Sequence, residues 1–366
     1  MNVAIVIDSL SIGGAQKHVR QLACGLAEQG DKVTVWVLNN IVEDLYVEPL
    51  RRAGVEVRVV GQRAVLTGLG LLRVAETWRS ERVELVVVVL FVSTVFGRLA
   101  AQLAGGVPIV TSLQARNVDY SRWQRLLVQM TAGASGWTIS NSRSALRWAV
   151  CHEGVCATRS SYIPNMFDPV ASETPLPSWT DLGLPEVEGR WVVGSLGRLS
   201  PQKGYDVLLR GVAMVPRELR EQLAVVIWGE GPERPALLRL RTELGLDDRV
   251  HLPGQRADAV RLLRKFDGYV QPSRFEGTPN AVLEALSVGL PLLVTAVDGL
   301  AEEDLGPHAR RIPPDDAAAL ADGLTAWLRV PAGAIHSGSV PAGLARGPER
   351  ILPVLRRVLA AVVESA

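Results

Sequence analysis

Two consecutive α/β domains, each built on a parallel sheet, are the fold class this chain predicts, and three observations predict it. Beta-branched runs alternate with helical stretches, which is the rhythm of strand, crossover helix and parallel strand. That rhythm pauses once near the middle, in a polar stretch rich in proline, and then resumes. The chain has 366 residues, which at roughly 100 to 200 residues per domain gives two domains, each able to bury its own core.

The first series of strands reads VAIVID, KVTVWVL, VEVRVVG, LVVVVLF, PIVTSLQ and GWTISN, and the domain ends near Asn165. After the first strand, Gly13 and Gly14 precede a helix whose apolar face is Ala15, Val19, Leu22, Ala23 and Leu26. Glycines there let a ligand approach the backbone and leave the helix start open to an anion. Leu85 to Phe96 is the longest apolar run. It is too short to span a bilayer and is closed by Arg98, so it reads as a buried parallel strand leading into a helix. Gln114, Arg116 and Asn117 fall at the end of the fifth strand, where side chains can line a cleft.

YIPNMFDPVASETPLPSW lacks hydrophobic periodicity and reads as the crossing between domains. The second series then gives WVVGSLG, AVVIWGEG, VHLPG, GYVQPS and PLLVTA as strands. The loop after the first of these, GRLSPQKG, carries Arg198 and Lys203 five residues apart. It fails the Walker spacing and the dinucleotide fingerprint. What remains is a guanidinium and an ammonium over a strand end, either two solvated cations or a pair suited to a diphosphate. WGEGPE places Gly229 and Gly231 around Glu230 in the equivalent position of the next strand, with a plain turn as the alternative reading.

RFEGTPNAVLEALSVGLP holds two carboxylates, Glu276 and Glu284, separated by seven residues. Thr278 suits an N-cap, Pro279 a first helical position and Gly289 a helix end, which predicts a helix from about Pro279 to Val288. Asn280 and Glu284, four apart, share a face of that helix, and Glu276 lies in the loop before it. All three could address one ligand, with backbone N–H groups around Gly277 to Asn280 attracting an anion. The plain alternative is a solvated helix with surface acids. Beyond it, Val330 to Pro348 reads as an irregular connector rich in Pro and Gly, and ERILPVLRRVLAAVVESA as a terminal helix interrupted by a proline near its start.

Composition removes several function classes. Hydrophobic content of 48% argues against disorder, and 39 Lys plus Arg against 38 Asp plus Glu give no global signal for nucleic acid. The start, MNVAIVIDSLSIGG, has no basic leader, so a cytoplasmic location is expected. Cys24, Cys151 and Cys156 suit a reducing compartment. CHEGVC sets His152 between two of them, but no second ligand pair follows at zinc-finger spacing, so no metal is expected. No Gly-x-Ser-x-Gly elbow appears, and His18, His152, His251, His308 and His336 read as structural or solvated. Arg116, Arg122, Arg125, Arg143 and Arg147 around RLLVQMTAG suggest a basic, partly apolar face. Such a face either rests on the inner leaflet of a membrane or is ordinary helix packing with solvated arginines.

Together these loops resemble the retaining glycosyltransferases of family 4, which have the GT-B fold: two Rossmann-like parallel-sheet domains facing a central cleft. The residues that carry the resemblance are GG at Gly13, NSRSALR at Asn141, IPNMFD at Ile163, GRLSPQKG at Gly197, GEGPE at Gly229 and SRFEGTPNAVLEALSVGLPLLVT at Ser273. Their order spans nearly the whole chain. The resemblance implies an acceptor-binding domain over residues 1–165 and a nucleotide-sugar-binding domain over 170–345, with the last helix, 349–366, returning to the first. It implies that Arg198 and Lys203 grip the donor diphosphate, Glu284 accepts hydrogen bonds from the ribose, and Glu276 sits by the donor sugar. Gly277, Thr278, Pro279 and Asn280, with Gly231, Gly13 and Gly14, would help to hold the donor. Gln114, Arg116 and Asn117 would face the acceptor. The implied partners are a UDP- or GDP-sugar and a saccharide or lipid-linked acceptor, with no cofactor. A nucleotide-sugar epimerase and a non-catalytic binding protein remain as alternatives. The chain departs from the family pattern at Gln114, where many members have His, at Met166, where Gly is usual, and after LLVTAVDG, where only Gly299 and Glu302 remain of a Gly-Gly and acidic pattern.

Overall fold

The computed structural model describes all residues except Ile12, Val118, Asp119, 167–174, Glu302, 331–346, Ala366 and the side chain of Ala301. Much of the expected crossing segment, nearly all of the expected connector, and Glu302 therefore lie outside the described residues. The chain divides into two units, Met1–Met166 with Arg346–Ala366, and Phe167–Ala345.

The first unit holds β1 (Asn2–Ile7), β2 (Lys32–Val37), β3 (Glu56–Val59), β4 (Leu85–Val89), β5 (Ile109–Leu113), β6 (Trp137–Ser140) and β7 (Ser160–Tyr162). They form one sheet in the order β3-β2-β1-β4-β5-β6-β7, every pair parallel. The Leu-Val-Val-Val-Val run of β4 is fully buried, as a strand covered on both faces must be. β7 was not expected: its Ser-Ser-Tyr sequence is short, polar and at the sheet edge, so it carries no hydrophobic signal. The helix Pro348–Glu364 buries Leu352, Leu355, Leu359 and Val362 in the first unit's core. It runs through Pro353 without breaking. Leu352 fits over Gly25 of the helix Gly14–Glu28, where a Cβ would meet its Cδ2 at 2.4 Å. Arg356 then reaches the buried Asp31 carboxylate at 3.0 Å, which the N-terminal ammonium also meets at 2.7 Å.

The second unit holds β8 (Trp191–Leu196), β9 (Leu223–Trp228), β10 (Val250–Gly254), β11 (Gly268–Gln271), β12 (Leu292–Thr295) and β13 (Ala309–Ile312). The order is β10-β9-β8-β11-β12-β13, again all parallel. β13 was also missed, because Ala-Arg-Arg-Ile puts two exposed arginines on an edge strand and buries only Ile312. Trp179, assigned from sequence to the crossing, is buried in the second core beside Phe266. The apolar layers lie on both faces of each sheet, so the strand ends and their loops are what each unit leaves for chemistry.

Candidate functional site

The strand ends of the second unit align. Leu196 of β8 pairs with Trp228 of β9, and Gln271 of β11 with Val294 of β12. The loops GRLSPQKG, GEGPE and PSRFEGTPN therefore leave one carboxyl edge, the edge at which open parallel sheets bind ligands.

Lys203 ends a single 3-10 turn, Pro201–Lys203, and Gly204 follows it at φ 63°. A Cβ on Gly204 would fall 2.1 Å from the Pro272 carbonyl, so glycine both takes the left-handed backbone and lets the turn lie against the β11 loop. Arg274 fastens the same two pieces. Its guanidinium donates to both Asp206 oxygens (3.0 and 2.8 Å), to Asp315 (2.7 Å) and to the Pro201 carbonyl (2.6 Å), and its backbone N–H donates to Gln202 O (2.8 Å). Burial alone would push the Asp206 carboxyl up, but the Arg274 hydrogen bonds outweigh it and hold it below the usual range. The sequence reading gave Arg274 no role, because one arginine in a loop shows nothing of its four acceptors.

The clamp delivers Lys203 to Glu276. Nζ lies 2.5 Å from Glu276 Oε1, which also accepts from Ser273 Oγ (2.8 Å) and Gln271 Nε2 (3.5 Å); Oε2 accepts from Gln202 Nε2 at 3.4 Å. The Glu276 side chain is 8% exposed. A carboxylate so buried costs several kcal/mol unless ion-paired and hydrogen-bonded, and four donors meet that requirement here. Behind it Tyr269 donates to Gln271 Oε1 (2.8 Å), and Ser195 donates to Tyr205 OH (3.4 Å) and to the Val270 carbonyl (2.7 Å). Both phenols are pushed well up, Tyr269 and Tyr205 first by burial and further by the Glu276 charge, so both stay neutral. Glu284 also raises Tyr269, which places both carboxylates around one ring.

The second carboxylate sits on the helix Asn280–Ser287, one residue shorter at each end than the sequence suggested. Pro279, not Thr278, is the cap residue, with extended backbone, and Thr278 is buried in the loop before it. The far end closes as expected: Gly289, at φ 77°, and Leu290 donate to Leu286 and Ala285 carbonyls in a Schellman arrangement. Glu284 is 4% exposed, buried with Val282, Leu283, Ala285 and Leu286, so the reading of surface acids on a solvated helix does not hold. Gly277 and Pro279 are also buried, and Asn280 is half-buried. A Cβ on Gly299 would fall 1.4 Å from Gly277 O, so the following short helix, Asp298–Ala301, packs directly on the loop that carries Glu276.

Arg198 is exposed at the end of β8 and makes no side-chain hydrogen bond or ion pair among the described residues. It is not drawn into the Lys203–Glu276 pair, but its neighbour Gly197 lies under the Lys203 stem, 3.4 Å from Cε to an ideal Cβ. Gly231 abuts the same loop, with Leu199 O 2.3 Å from its ideal Cβ, and Leu199 N donates to Glu230 O at 2.9 Å.

The first unit presents its own carboxyl edge. Gly13 is held from both its N–H and its carbonyl by Tyr46 OH at 3.3 Å, and Gly14 begins the helix Gly14–Glu28. Gln114 donates to Ser112 Oγ (2.8 Å) and accepts from Asn141 Nδ2 (3.3 Å). Ser112 also meets the buried His18 ring at 3.4 Å. Arg116 stacks over Trp148 at 5.1 Å, and Asn117 donates to both oxygens of buried Glu153 (3.1 and 3.3 Å). Gln114, Asn117, Tyr120 and Glu153 line a small cavity with Arg98, a buried arginine bonded to Ser135, Thr131, Thr111 and Val128 O. Burial pushes Glu153 up and Arg98 down to about 10. Neither was singled out by function from sequence, since Arg98 read only as the end of an apolar run and Glu153 only as part of CHEGVC. In that motif His152 stacks on Trp148 (3.9 Å), the two cysteines are exposed, and the described residues contain no metal-holding group of three His, Cys, Asp or Glu.

Comparison with known proteins decides the family. Residues 12–170 match the model for Glycosyltransferase Family 4, and residues 190–329 the model for Glycosyl transferases group 1. This chain belongs to glycosyltransferase family 4. Its fold is GT-B: the structure of Anabaena Alr3699/HepE, solved in complex with UDP and glucose, aligns over 100% of both chains at TM-score 0.82 and 21% identity. Among characterised sequences, the glycosyltransferase is 34% identical over 110 residues to the lipopolysaccharide core biosynthesis glycosyltransferase LpsE of Rhizobium meliloti (strain 1021). It is 39% identical over 129 residues to the D-inositol 3-phosphate glycosyltransferase of Salinispora arenicola (strain CNS-205). These alignments span 30% and 32% of this chain, and 30% and 28% of those proteins' own lengths.

Proposed function

We propose that this protein moves a sugar from a nucleotide-diphosphate donor, a UDP- or GDP-sugar, to a hydroxyl of a saccharide or lipid-linked acceptor, with retention at the anomeric carbon. The acceptor reaction belongs to polysaccharide, glycolipid or glycoconjugate biosynthesis on the cytoplasmic side of the membrane. The observation that carries this reading is the part-buried Lys203–Glu276 pair at the carboxyl edge of the second sheet, clamped by Arg274. UDP in the HepE structure and sugar transfer in the relatives' names support it.

Charge development assigns the roles. Cleaving the anomeric bond places negative charge on the departing diphosphate and makes the sugar oxocarbenium-like. Lys203 gives one of its three N–H donors to Glu276 and keeps two for phosphate oxygens; Arg198 keeps its whole fork. Glu276 faces the cationic sugar and need not act as a nucleophile, because a leaving phosphate on the front face can take the acceptor proton. Glu284 accepts from the ribose, and the backbone of Gly277 to Asn280 with Gly231 completes the donor subsite. Gly13, Gly14, Gln114, Arg116 and Asn117 contribute from the first unit, the last three toward the acceptor. With two cations for the diphosphate the mechanism invokes no metal or cofactor, so turnover should survive chelation by EDTA.

Titration calorimetry with UDP and GDP tests the reading. Lys203→Ala and Arg198→Ala should each weaken nucleotide binding about 10- to 100-fold, the worth of one charge-assisted hydrogen bond. Glu276→Gln should bind nucleotide within a few-fold of the parent and lose turnover. Parent-like nucleotide affinity in both cation variants would discard the donor site, and an inverted product anomer by NMR would discard retention.

A further inference from the structure

Asp315 holds a backbone that its residue type does not favour. It stands at φ 58°, one of three non-glycine residues in the left-handed region among the described residues. Aspartate visits that region more readily than most residues, yet only glycine adopts it without a steric penalty. Pro313 and Pro314 precede it after β13, and Asp316 follows as the cap of the helix Ala317–Leu328, its Oδ1 accepting from the Ala319 N–H at 2.8 Å. A turn that only had to join β13 to this helix would be best served by glycine at position 315. The Asp315 side chain supplies the difference, because its Oδ1 accepts from Arg274 Nε at 2.7 Å. Asp315 is 57% exposed, and an ion pair so open to water returns less stability than a strained backbone removes. Strain kept at the edge of a site points to a use other than stability.

That use follows from what Arg274 joins. Its Nη1 and Nη2 take both oxygens of Asp206, in the first turn of the helix Tyr205–Met214, and Nη1 also reaches the Pro201 carbonyl. Its backbone N–H meets Gln202 O. All of these acceptors lie within residues 201–206, the segment that carries Lys203. Asp315 is the acceptor that comes from elsewhere, and it takes the Nε edge of the guanidinium plane that Asp206 leaves open. Two acids on two edges fix the plane, where one would let it swing with the Lys203 turn. The frame behind is firm: the helices Tyr205–Met214 and Ala317–Leu328 pack so closely that a Cβ on Gly211 would fall 2.6 Å from Leu320 Cδ2. With four of its five N–H groups engaged by protein oxygens, Arg274 serves the donor through Lys203.

We propose that Asp315 is a positioning residue of the donor site, seating Arg274 and through it Lys203, and that it does not serve folding stability. The inference rests on the donor reading, because Lys203 is the group through which Asp315 acts. Calorimetry with UDP and GDP, together with thermal melting, tests it in Asp315→Gly. This variant should melt no lower than the parent, yet bind the preferred nucleotide about 3- to 10-fold more weakly. Asp315→Asn keeps an oxygen for Nε and tolerates the same backbone, so it should recover part of that affinity. A cycle with Lys203→Ala separates positioning from a diffuse effect: in that background Asp315→Gly should change affinity less than about twofold. Parent affinity in Asp315→Gly, or the same loss repeated on top of Lys203→Ala, would overturn the positioning role and leave the donor reading intact. A melting midpoint several degrees below the parent would mark Asp315 as a structural staple and overturn it as well. If the parent binds neither nucleotide, or Lys203→Ala binds as the parent does, the donor reading fails and takes this inference with it.

Discussion

At the scale of single residues, burial separates the acids and bases of this protein into different tasks. Glu276 is buried with a full set of donors, so its charge is fixed in place rather than solvated. His18 is the opposite case, a buried imidazole with one weak contact to Ser112, and burial lowers its pKa to about 4. In the unfolded chain the ring binds a proton below about 6.5; in the folded chain it resists until about 4. The unfolded state therefore holds more protons in that window, and stability falls as pH drops through it, by on the order of 3 kcal/mol over the whole interval. Glu153 and Asp8, whose carboxyls burial pushes up, oppose this trend above pH 4. Comparing parent with His18→Gln isolates the histidine: in urea unfolding at pH 7.5 and pH 5, the parent should lose about 2 kcal/mol more than the variant on acidification. Equal losses would show that the ring is protonated in the native state. Residue types in the sequence announced Glu276, Glu284 and Lys203. The acceptors of Arg274 were illegible, because Asp206 and Asp315 come from separate parts of the chain.

At the scale of elements, the site depends on short pieces that touch through glycine. The Asp298–Ala301 turn lies on the Glu276 loop only because Gly299 has no side chain. Gly299→Ala cannot be absorbed by a flexible neighbour, since the atoms in the way are the Gly277 and Glu276 carbonyls. Such overpacking should cost about 1–3 kcal/mol, which lowers the melting midpoint by several degrees. It should also weaken nucleotide binding by displacing the Glu276 loop, so an unchanged midpoint with unchanged calorimetry would show that the turn is not packed there. The sequence held Gly299 as a remnant of a family pattern, and the packing gives it a physical reason. Strand identity was legible wherever both faces of the sheet are covered. It failed at β7 and β13, edge strands whose polar residues satisfy solvent on one side and so leave no periodic signature.

At the scale of the whole molecule, sequence order and structural membership part company once. The helix Pro348–Glu364 follows the second unit in the chain but belongs to the core of the first, through Leu355 and Leu359, both fully buried, and the Arg356–Asp31 pair. Leu355→Ala should cost about 2–5 kcal/mol, as cavities left by buried leucines do. Hydrogen exchange should then show lost protection in β1 and Gly14–Glu28 and unchanged protection in β8, β9 and β11; loss confined to the second unit would refute the assignment. The sequence by itself determined the two parallel sheets, the loops at their carboxyl edges and the chemistry of the side chains in those loops. Each of these is written in local periodicity, turn residues and motif spacing. Only the tertiary structure decided that Glu276 and Glu284 are buried rather than solvated, and that Arg274 holds Lys203 against Glu276. Burial and ion pairing depend on which distant segments pack together, and no local spacing encodes that.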